Sequence, residues 1–491
     1  MTGFGLVKHL LPSQNPLLER AARGAGWLFA MQMGKKLLTV GQTLILARLL
    51  QPKDFGSFGI ILASVSFIET LNQVAGFQTA LVQKRRELSI QLDTAWTVLV
   101  GQGCFNALLL MALSGPISRF FGAPEAAPLM RVYSMTLLLN GFVNIGVIYF
   151  QKELDFFRQL VFVLLETFVG VVITVSVALL TRSVWALVVG GLGGVTVRLI
   201  SSFVMQKYRP TLRLHWPSLR ELLTFGQWIW LSSMIFFFQS QGDNIVVGKV
   251  LGVTALGFYR VVYSIANLGG TEIGNILGRI MLPVYSRLQE DLGNLRDTYV
   301  KFTRVQTLII LPVAVCIVTL APEFVRVSLG EDWVPAAPVL QVLTGFSLFN
   351  AMVRRAEVLL EGTGFPKHGT IGRGLFLVFA GASIYPMAVW LQLPGVALAV
   401  LGGVFMEWLY VEYQAARILS FTGWELVKAS APNLVAAGGM AFLIAALKLL
   451  ISTSSSLLLL TLLAPIGLVV YLLVVIFTTN GDVLGFRKLA N

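Results

Sequence analysis

Residues 161–180 read VFVLLETFVGVVITVSVALL, a run with a single ionisable side chain, Glu166. At 1.5 Å per residue such a run makes a helix of about 30 Å, the thickness of the hydrocarbon core of a bilayer. A helix apolar on every face has no use for water, so the stretch reads as a membrane span. Similar runs recur along the whole chain. We place them near 24–48, 56–80, 94–114, 127–150, 158–180, 184–205, 222–247, 255–280, 299–321, 335–361, 369–391, 394–414, 427–450 and 455–478. The joints carry charge, Pro and Gly, as in Gln51-Pro52-Lys53-Asp54, Lys84-Arg85-Arg86-Glu87 and Lys207-Tyr208-Arg209-Pro210. The expected fold is an all-α polytopic membrane protein of about fourteen transmembrane helices.

Composition agrees with that reading. Of 491 residues, 56% are hydrophobic and 12% charged, with a mean hydropathy of +0.78. A soluble domain carries roughly 25% charge. Cys104 and Cys316 both lie in apolar runs, which argues against a disulfide framework or a CxxC site. His9, His215 and His368 follow no metal-ligand spacing, and no cofactor is expected. Residues 1–23 are mixed and polar, so the first long apolar stretch is expected to be a retained helix rather than a cleaved leader.

The net charge of +13 does not call for a nucleic-acid partner. Lys and Arg gather in alternate joints, such as Lys84 to Arg86, Lys207 to Arg213 and Arg287 to Arg304. The other joints hold scattered cations, such as Arg119, Arg182 and Arg326. The positive-inside rule then puts both termini in the cytoplasm.

An internal repeat sets the expected domain plan. Ala47-Arg48-Leu49-Leu50 followed by Phe55-Gly56 aligns with Gly248-Lys249-Val250-Leu251 followed by Leu256-Gly257 at an offset of 201, and Asn140 meets Asn350 at 210. Six helices per repeat is an even number, which makes the halves parallel, as in some transporters. The expected divisions are 1–212 for one six-helix lobe, 213–425 for the second, and 426–491 for two further helices and a tail.

Ionisable groups at membrane depth are costly unless they meet a cavity or a partner. Gln32, Lys35, Thr39 and Gln42 step by 3, 4 and 3 along the first span and share a face. Lys36 points about 100° away. Ser66, Glu69 and Gln73 form a face on the second span, Ser232, Gln239 and Asp243 on the seventh, and Arg260, Asn267 and Thr271 on the eighth, with Glu272 beside them. We expect a polar central cavity in which Lys35, Lys36, Arg48 and Arg260 attract a phosphate or diphosphate. Glu69, Asp243 and Glu272 would then pair with those cations or carry coupling protons. Internal ion pairing that only holds helices together accounts for the same residues, and the sequence leaves both open. Arg354 and Arg355, with Glu357 and Glu361, either pair and snorkel or form a lipid-phosphate site. Glu166 and Glu407 are lone carboxylates of either kind.

Enzyme motifs do not appear in the sequence. Gly242 to Lys249 imitates a P-loop with one residue too many, and Val250 stands where Ser or Thr is required. The outer joints are short, which argues against a membrane polymerase.

Ala47-Arg48-Leu49-Leu50-Gln51-Pro52-Lys53-Asp54-Phe55-Gly56 resembles the stretch after the first helix of the polysaccharide transporter family. That family belongs to the multidrug/oligosaccharidyl-lipid/polysaccharide exporter superfamily. Gly76 to Gln83, Asp243-Asn244 with Gly248 to Gly252, and Pro283 to Leu288 are similar to further stretches of that family, in order over about residues 20–420. The resemblance implies a flippase for undecaprenyl-diphosphate-linked oligosaccharides, as in exporters of colanic acid, O-antigen or capsule precursors. It also implies two six-helix lobes around a central cavity, driven by an ion gradient or potential rather than ATP. Arg48 and Asp243 are the site residues that the matched stretches carry over. The expected partners are the lipid-linked oligosaccharide, membrane lipids, a polymerase and other polysaccharide-assembly proteins. The alternative is a drug/cation antiporter of the same superfamily, which would favour an acidic, aromatic cavity.

Overall fold

The computed structural model describes residues 16–71, 89–451 and 455–479, and their side chains except at 16–25, 89 and 218–232. Gln73, the 84–87 joint and the end of the second expected span lie outside the described residues, as does the side chain of Ser232. The described residues are helical, with no strand among them. In chain order the helices are α1 (Pro16–Leu49), α2 (Pro52–Leu71), α3 (Ser89–Phe120), α4 (Ala126–Tyr133), α5 (Met135–Gly141), α6 (Ile148–Lys152), α7 (Phe156–Thr181) and α8 (Trp185–Met205). After these come α9 (Trp216–Val246), α10 (Val253–Gly269), α11 (Thr271–Leu288), α12 (Leu292–Thr319), α13 (Ala321–Ser328), α14 (Ala337–Gly362), α15 (Lys367–Leu419), α16 (Gly423–Leu450) and α17 (Ser456–Thr478).

A helix or helix pair lies at each expected span. Nine are long and apolar enough to cross a membrane, or ten if Ala126–Gly141 and Ile145–Lys152, bent by 66°, count as one span. These figures refer to the described residues. The protein is an all-α, multi-pass membrane protein. α1 carries two adjacent lysines, and α10 and α11 part at Gly270, so none of the three reads as an uninterrupted apolar rod. α15 hides a turn. Gln392 has non-helical angles (φ 53°, ψ −136°). Around it Gly372 packs on Val411, Gly403 on Phe376 and Gly402 on Phe379, so the 53 residues double back as two antiparallel arms.

The chain divides into two compact units, 1–49 with 61–237 and 50–60 with 238–491. The units do not part between helices, because α2 and α9 each contribute one end to either unit. In the first unit small residues bring backbones together. A Cβ on Gly170 of α7 would stand 3.4 Å from the Gly190 carbonyl oxygen and the Gly194 Cα of α8, so the small residues allow close helix contact in lipid. Trp27 of α1 meets Phe157 of α7 edge-to-face at 5.1 Å. The linker after α8 is pinned along α3. Asp93 accepts hydrogen bonds from the Tyr208 hydroxyl (2.5 Å) and the Thr211 amide (3.0 Å), and the His215 amide donates to Thr94 (3.1 Å).

α14 runs through the second unit, with Leu340, Leu343, Ala351, Ala356 and Val358 fully buried. α16 is held at both ends. Lys448 bonds Glu323 of α13 at 2.8 Å, and Arg296 of α12 bonds Glu425, which completes the capping box of α16, at 2.6 Å. Asn433 reaches the Arg304 carbonyl (2.9 Å) and the Thr307 hydroxyl (2.8 Å).

The two repeat segments touch each other in this unit. A Cβ at Gly56 would overlap the Val253 carbonyl, and a Cβ at Gly257 would overlap the Pro52 carbonyl. At the offset of 201, Gly56 matches Gly257 and Pro52 matches Val253. The contact is therefore reciprocal, the signature of a local two-fold relation between the segments. Trp333 is buried against Phe55 (5.2 Å) and Phe258 (5.7 Å), both edge-to-face. We expect Gly56→Ala and Gly257→Ala each to cost about 1–3 kcal/mol through overpacking. Gly438→Ala, with nothing within 4 Å of its Cβ, should be nearly neutral. Thermal unfolding of the purified protein in detergent checks this; equal melting temperatures for all three would refute the close contact.

Candidate functional site

In the first unit, α1 presents Gln32, Lys35 and Thr39 exposed along one face, with Lys36 half-buried beside them. The Thr39 hydroxyl donates to the Lys35 carbonyl at 2.8 Å, the usual way a hydroxyl is satisfied in an apolar helix. Arg48, at the end of α1, is exposed. On α2, Glu69 is exposed and within electrostatic reach of Arg198 on α8. Arg198 also stands 3.8 Å from Glu166 on α7. Glu69, Arg198 and Glu166 thus form a charged cluster inside this unit.

In the second unit, Asp243 is buried near the end of α9. It accepts hydrogen bonds from the Tyr259 hydroxyl (2.8 Å) and the Asn244 amide (2.7 Å). Arg260 donates to the carbonyl of Gly59, its own counterpart at the offset of 201, at 3.5 Å. Further along, the Thr271 hydroxyl donates to Asn267 at 2.7 Å, and Asn350 donates to that hydroxyl at 3.2 Å. The Thr271 amide bonds Ser347 at 2.9 Å, where α14 passes against Gly270. Glu272 follows, half-buried.

A cavity of about 490 Å³ lies in this unit between α9 and α15. Its wall is formed by Phe238, Ile245, Val246, Phe376, Ala380 and Ile384 among others, and its polar lining is Gln239 and Asp243. The cavity thus offers an apolar surface with one carboxylate and one amide. On the same unit Arg354 bonds Glu361 (2.8 Å) and Glu357 (3.3 Å), and Arg373 bonds Glu357 (2.7 Å). Arg355 is 2% exposed. It bonds Glu412 at 2.7 Å, and Tyr299 bridges the pair through its hydroxyl (2.7 Å to Glu412, 3.2 Å to Arg355).

The structure thus separates two arginines that sit side by side in sequence. Arg354 is a quarter exposed in a branched ion pair, and Arg355 is sealed inside the helix packing. Tyr259, Tyr299 and Arg373 were not among the expected residues. Arg373 carried the same signal as Glu407, a charge beside an apolar run. The two tyrosines carried none, because an aromatic residue at helical spacing is ordinary core.

A family model described as "Polysaccharide biosynthesis protein" matches residues 45–338. The chain is 25% identical over 338 residues to "Lipopolysaccharide biosynthesis protein WzxC" of Escherichia coli (strain K12), covering 68% of each. It is 24% identical over 325 residues to "Succinoglycan biosynthesis transport protein ExoT" of Rhizobium meliloti (strain 1021), covering 66% of each. Among solved structures, "Lipid II flippase MurJ, inward closed conformation" superimposes with a TM-score of 0.74 at 15% identity, over 94% of this chain and 99% of that one. A multidrug resistance MATE family transporter of the MOP superfamily gives 0.63 at 14% identity, over 79% of this chain and 96% of that one. The likeness to these two structures is one of fold. With more than half of its length matched by one family model, this helical membrane chain belongs to the polysaccharide biosynthesis protein family.

Proposed function

We propose that the protein is a flippase for lipid-linked oligosaccharide, moving undecaprenyl-diphosphate-linked repeat units across the bacterial inner membrane for surface polysaccharide synthesis. The observation that carries this reading is the α1 face, where Lys35 stands exposed between Gln32 and Thr39 in a helix otherwise rich in apolar residues. A lysine held there without a role would cost several kcal/mol. A diphosphate is a fitting ligand for it, because anion and cation attract strongly where the dielectric is low. The names of two relatives, a lipopolysaccharide biosynthesis protein and a succinoglycan transport protein, support the substrate class.

The physical problem such a protein solves is desolvation. Each sugar hydroxyl moved into hydrocarbon without a partner costs about 2–7 kcal/mol. Amide and hydroxyl side chains such as Gln32, Asn267 and Asn350 replace those lost water contacts. Arg48, Arg260, Lys36, Arg354 and Arg355 are the further cations of this reading, and Glu69, Asp243 and Glu272 its coupling carboxylates. Arg355 serves it from a distance, as the bolt joining α14 to the second arm of α15. The lobes 1–212 and 213–425, both termini in the cytoplasm, and a neighbouring polymerase belong to the same proposal.

In a strain whose surface polysaccharide depends on this protein, Lys35→Gln with Lys36→Gln should leave normal protein in the membrane and cut surface polysaccharide at least tenfold. Normal polysaccharide would refute the α1 assignment. Arg355→Met should act differently. It strands Glu412 in the interior, a loss of about 3–5 kcal/mol, and membrane levels of folded protein should fall; an Arg355→Met protein that accumulates and melts like wild type would refute the structural role.

A further inference from the structure

In the second unit, α14 and α15 bring together the carboxylates of Glu357, Glu361, Glu407 and Glu412 and the guanidiniums of Arg354, Arg355 and Arg373. Three of these carboxylates have a guanidinium within 3.3 Å: Glu361 and Glu357 share Arg354, Glu357 also takes Arg373, and Glu412 takes Arg355. Glu407 is the one left over. It is 2% exposed, and its hydrogen bond comes from an amide, Gln239 Nε2, at 3.4 Å.

The surroundings of Glu407 come from several elements. α9 contributes Gln239, with Asp243 one turn further on. α14 contributes Glu357. The first arm of α15 contributes Gly372, whose Cβ would stand 3.4 Å from the Glu407 side chain, and Arg373, which like Glu357 is within electrostatic reach. Its own arm carries Tyr410, bonded to His368 at 3.0 Å, and Glu412. A carboxylate with no guanidinium bonded to it in this setting bears its charge only at a cost of several kcal/mol. An amide partner suits both of its states, because the NH₂ donates to a carboxylate and the C=O accepts from a carboxylic acid. A guanidinium can only donate.

We propose that Glu407, beside the carboxylates named above, binds and releases a coupling proton of the transport cycle. The proposal rests on the flippase reading. On this proposal Glu407 carries the proton while it is buried beside Gln239. On release, the O–H bond of the acid breaks, the proton passes to water, and the carboxylate competes with Glu357 for Arg373, while Glu357 keeps Arg354. Arg373 lies one turn from Phe376 on the arm that continues to Ala380 and Ile384, one wall of the 490 Å³ cavity. Gln239 lies on the other wall. Re-pairing of Arg373 therefore moves one cavity wall, while the Gln239 amide keeps its bond to the carboxylate on the other. Sodium fits the place poorly. A hard cation wants about six oxygen ligands, whereas Glu407 faces an amide nitrogen and a guanidinium. Among the described residues no group of three His, Cys, Asp or Glu is placed to hold a metal.

The test uses the full-length protein in nanodiscs of phosphatidylethanolamine and phosphatidylglycerol. Infrared difference spectra between acidic and alkaline buffer, in sodium and in choline chloride, read the carbonyl stretch of a buried carboxylic acid. We expect that band to fall by at least half in Glu407→Gln, to return shifted in Glu407→Asp, and to be unchanged in Glu290→Gln, an exposed surface control. A full band in correctly folded Glu407→Gln, or a band set by sodium rather than pH, overturns the proposal. In the polysaccharide-dependent strain, Glu407→Gln should lose at least tenfold in export, and normal export overturns the coupling role. The infrared band needs no oligosaccharide substrate, so it separates failure of this assignment from failure of the flippase reading.

Discussion

A charge placed inside hydrocarbon must find a partner within the protein, and that constraint organises the second unit. Arg355, Tyr299 and Glu412 close on one another at 2.7–3.2 Å and join α12, α14 and the second arm of α15. Arg354, Glu357, Glu361 and Arg373 do the same nearer the surface. Lys448 with Glu323 and Arg296 with Glu425 fasten the two ends of α16. Lipid is as apolar as leucine, so hydrophobic burial gives little preference for one helix arrangement over another. The sealed Arg355–Glu412 pair, costly to break, supplies part of that preference.

Close backbone approach supplies the rest. Where Gly170 meets Gly190 and Gly194, and where Gly56 and Gly257 lie against carbonyls, helices come near enough for extended van der Waals contact. The Gly56 and Gly257 contacts are copies of one contact. A duplicated segment that meets its own duplicate uses the same surface twice, which is why the glycine recurs at the offset of 201. Arg260 bonding the carbonyl of Gly59, its counterpart, belongs to the same arrangement.

The flippase reading gives these structural charges and the remaining ones different work. Arg355 and Glu412 cancel each other and hold helices. Lys35 is exposed on a polar face, and Glu407 is buried with an amide as its hydrogen-bond donor. Groups of these last two kinds retain something to exchange, a counter-ion in one case and a proton in the other. A transporter needs a rigid frame and a few uncommitted charges, and here the two classes differ by the presence of a partner rather than by residue type.

The sequence by itself determined the helical membrane class, the positions of the spans, the hidden turn between 391 and 394, and the repeat. Those follow from apolar run length, Gly and Pro placement and self-similarity, all of which are local or linear. It also pointed to Lys35, Asp243 and Glu407 as unusual, because a charge in an apolar run is visible without a fold. Only the tertiary structure decided which charges are spent. Arg354 and Arg355 are neighbours in the chain, yet a rotation of about 100° along the helix sends one to a surface cluster and the other into a sealed pair. The Tyr259 partner of Asp243, 16 residues away, and the Arg373 that leaves Glu407 to Gln239 depend on which helix packs against which. That choice is made by side-chain shape and pairing across distant segments, and no periodicity in the chain records it.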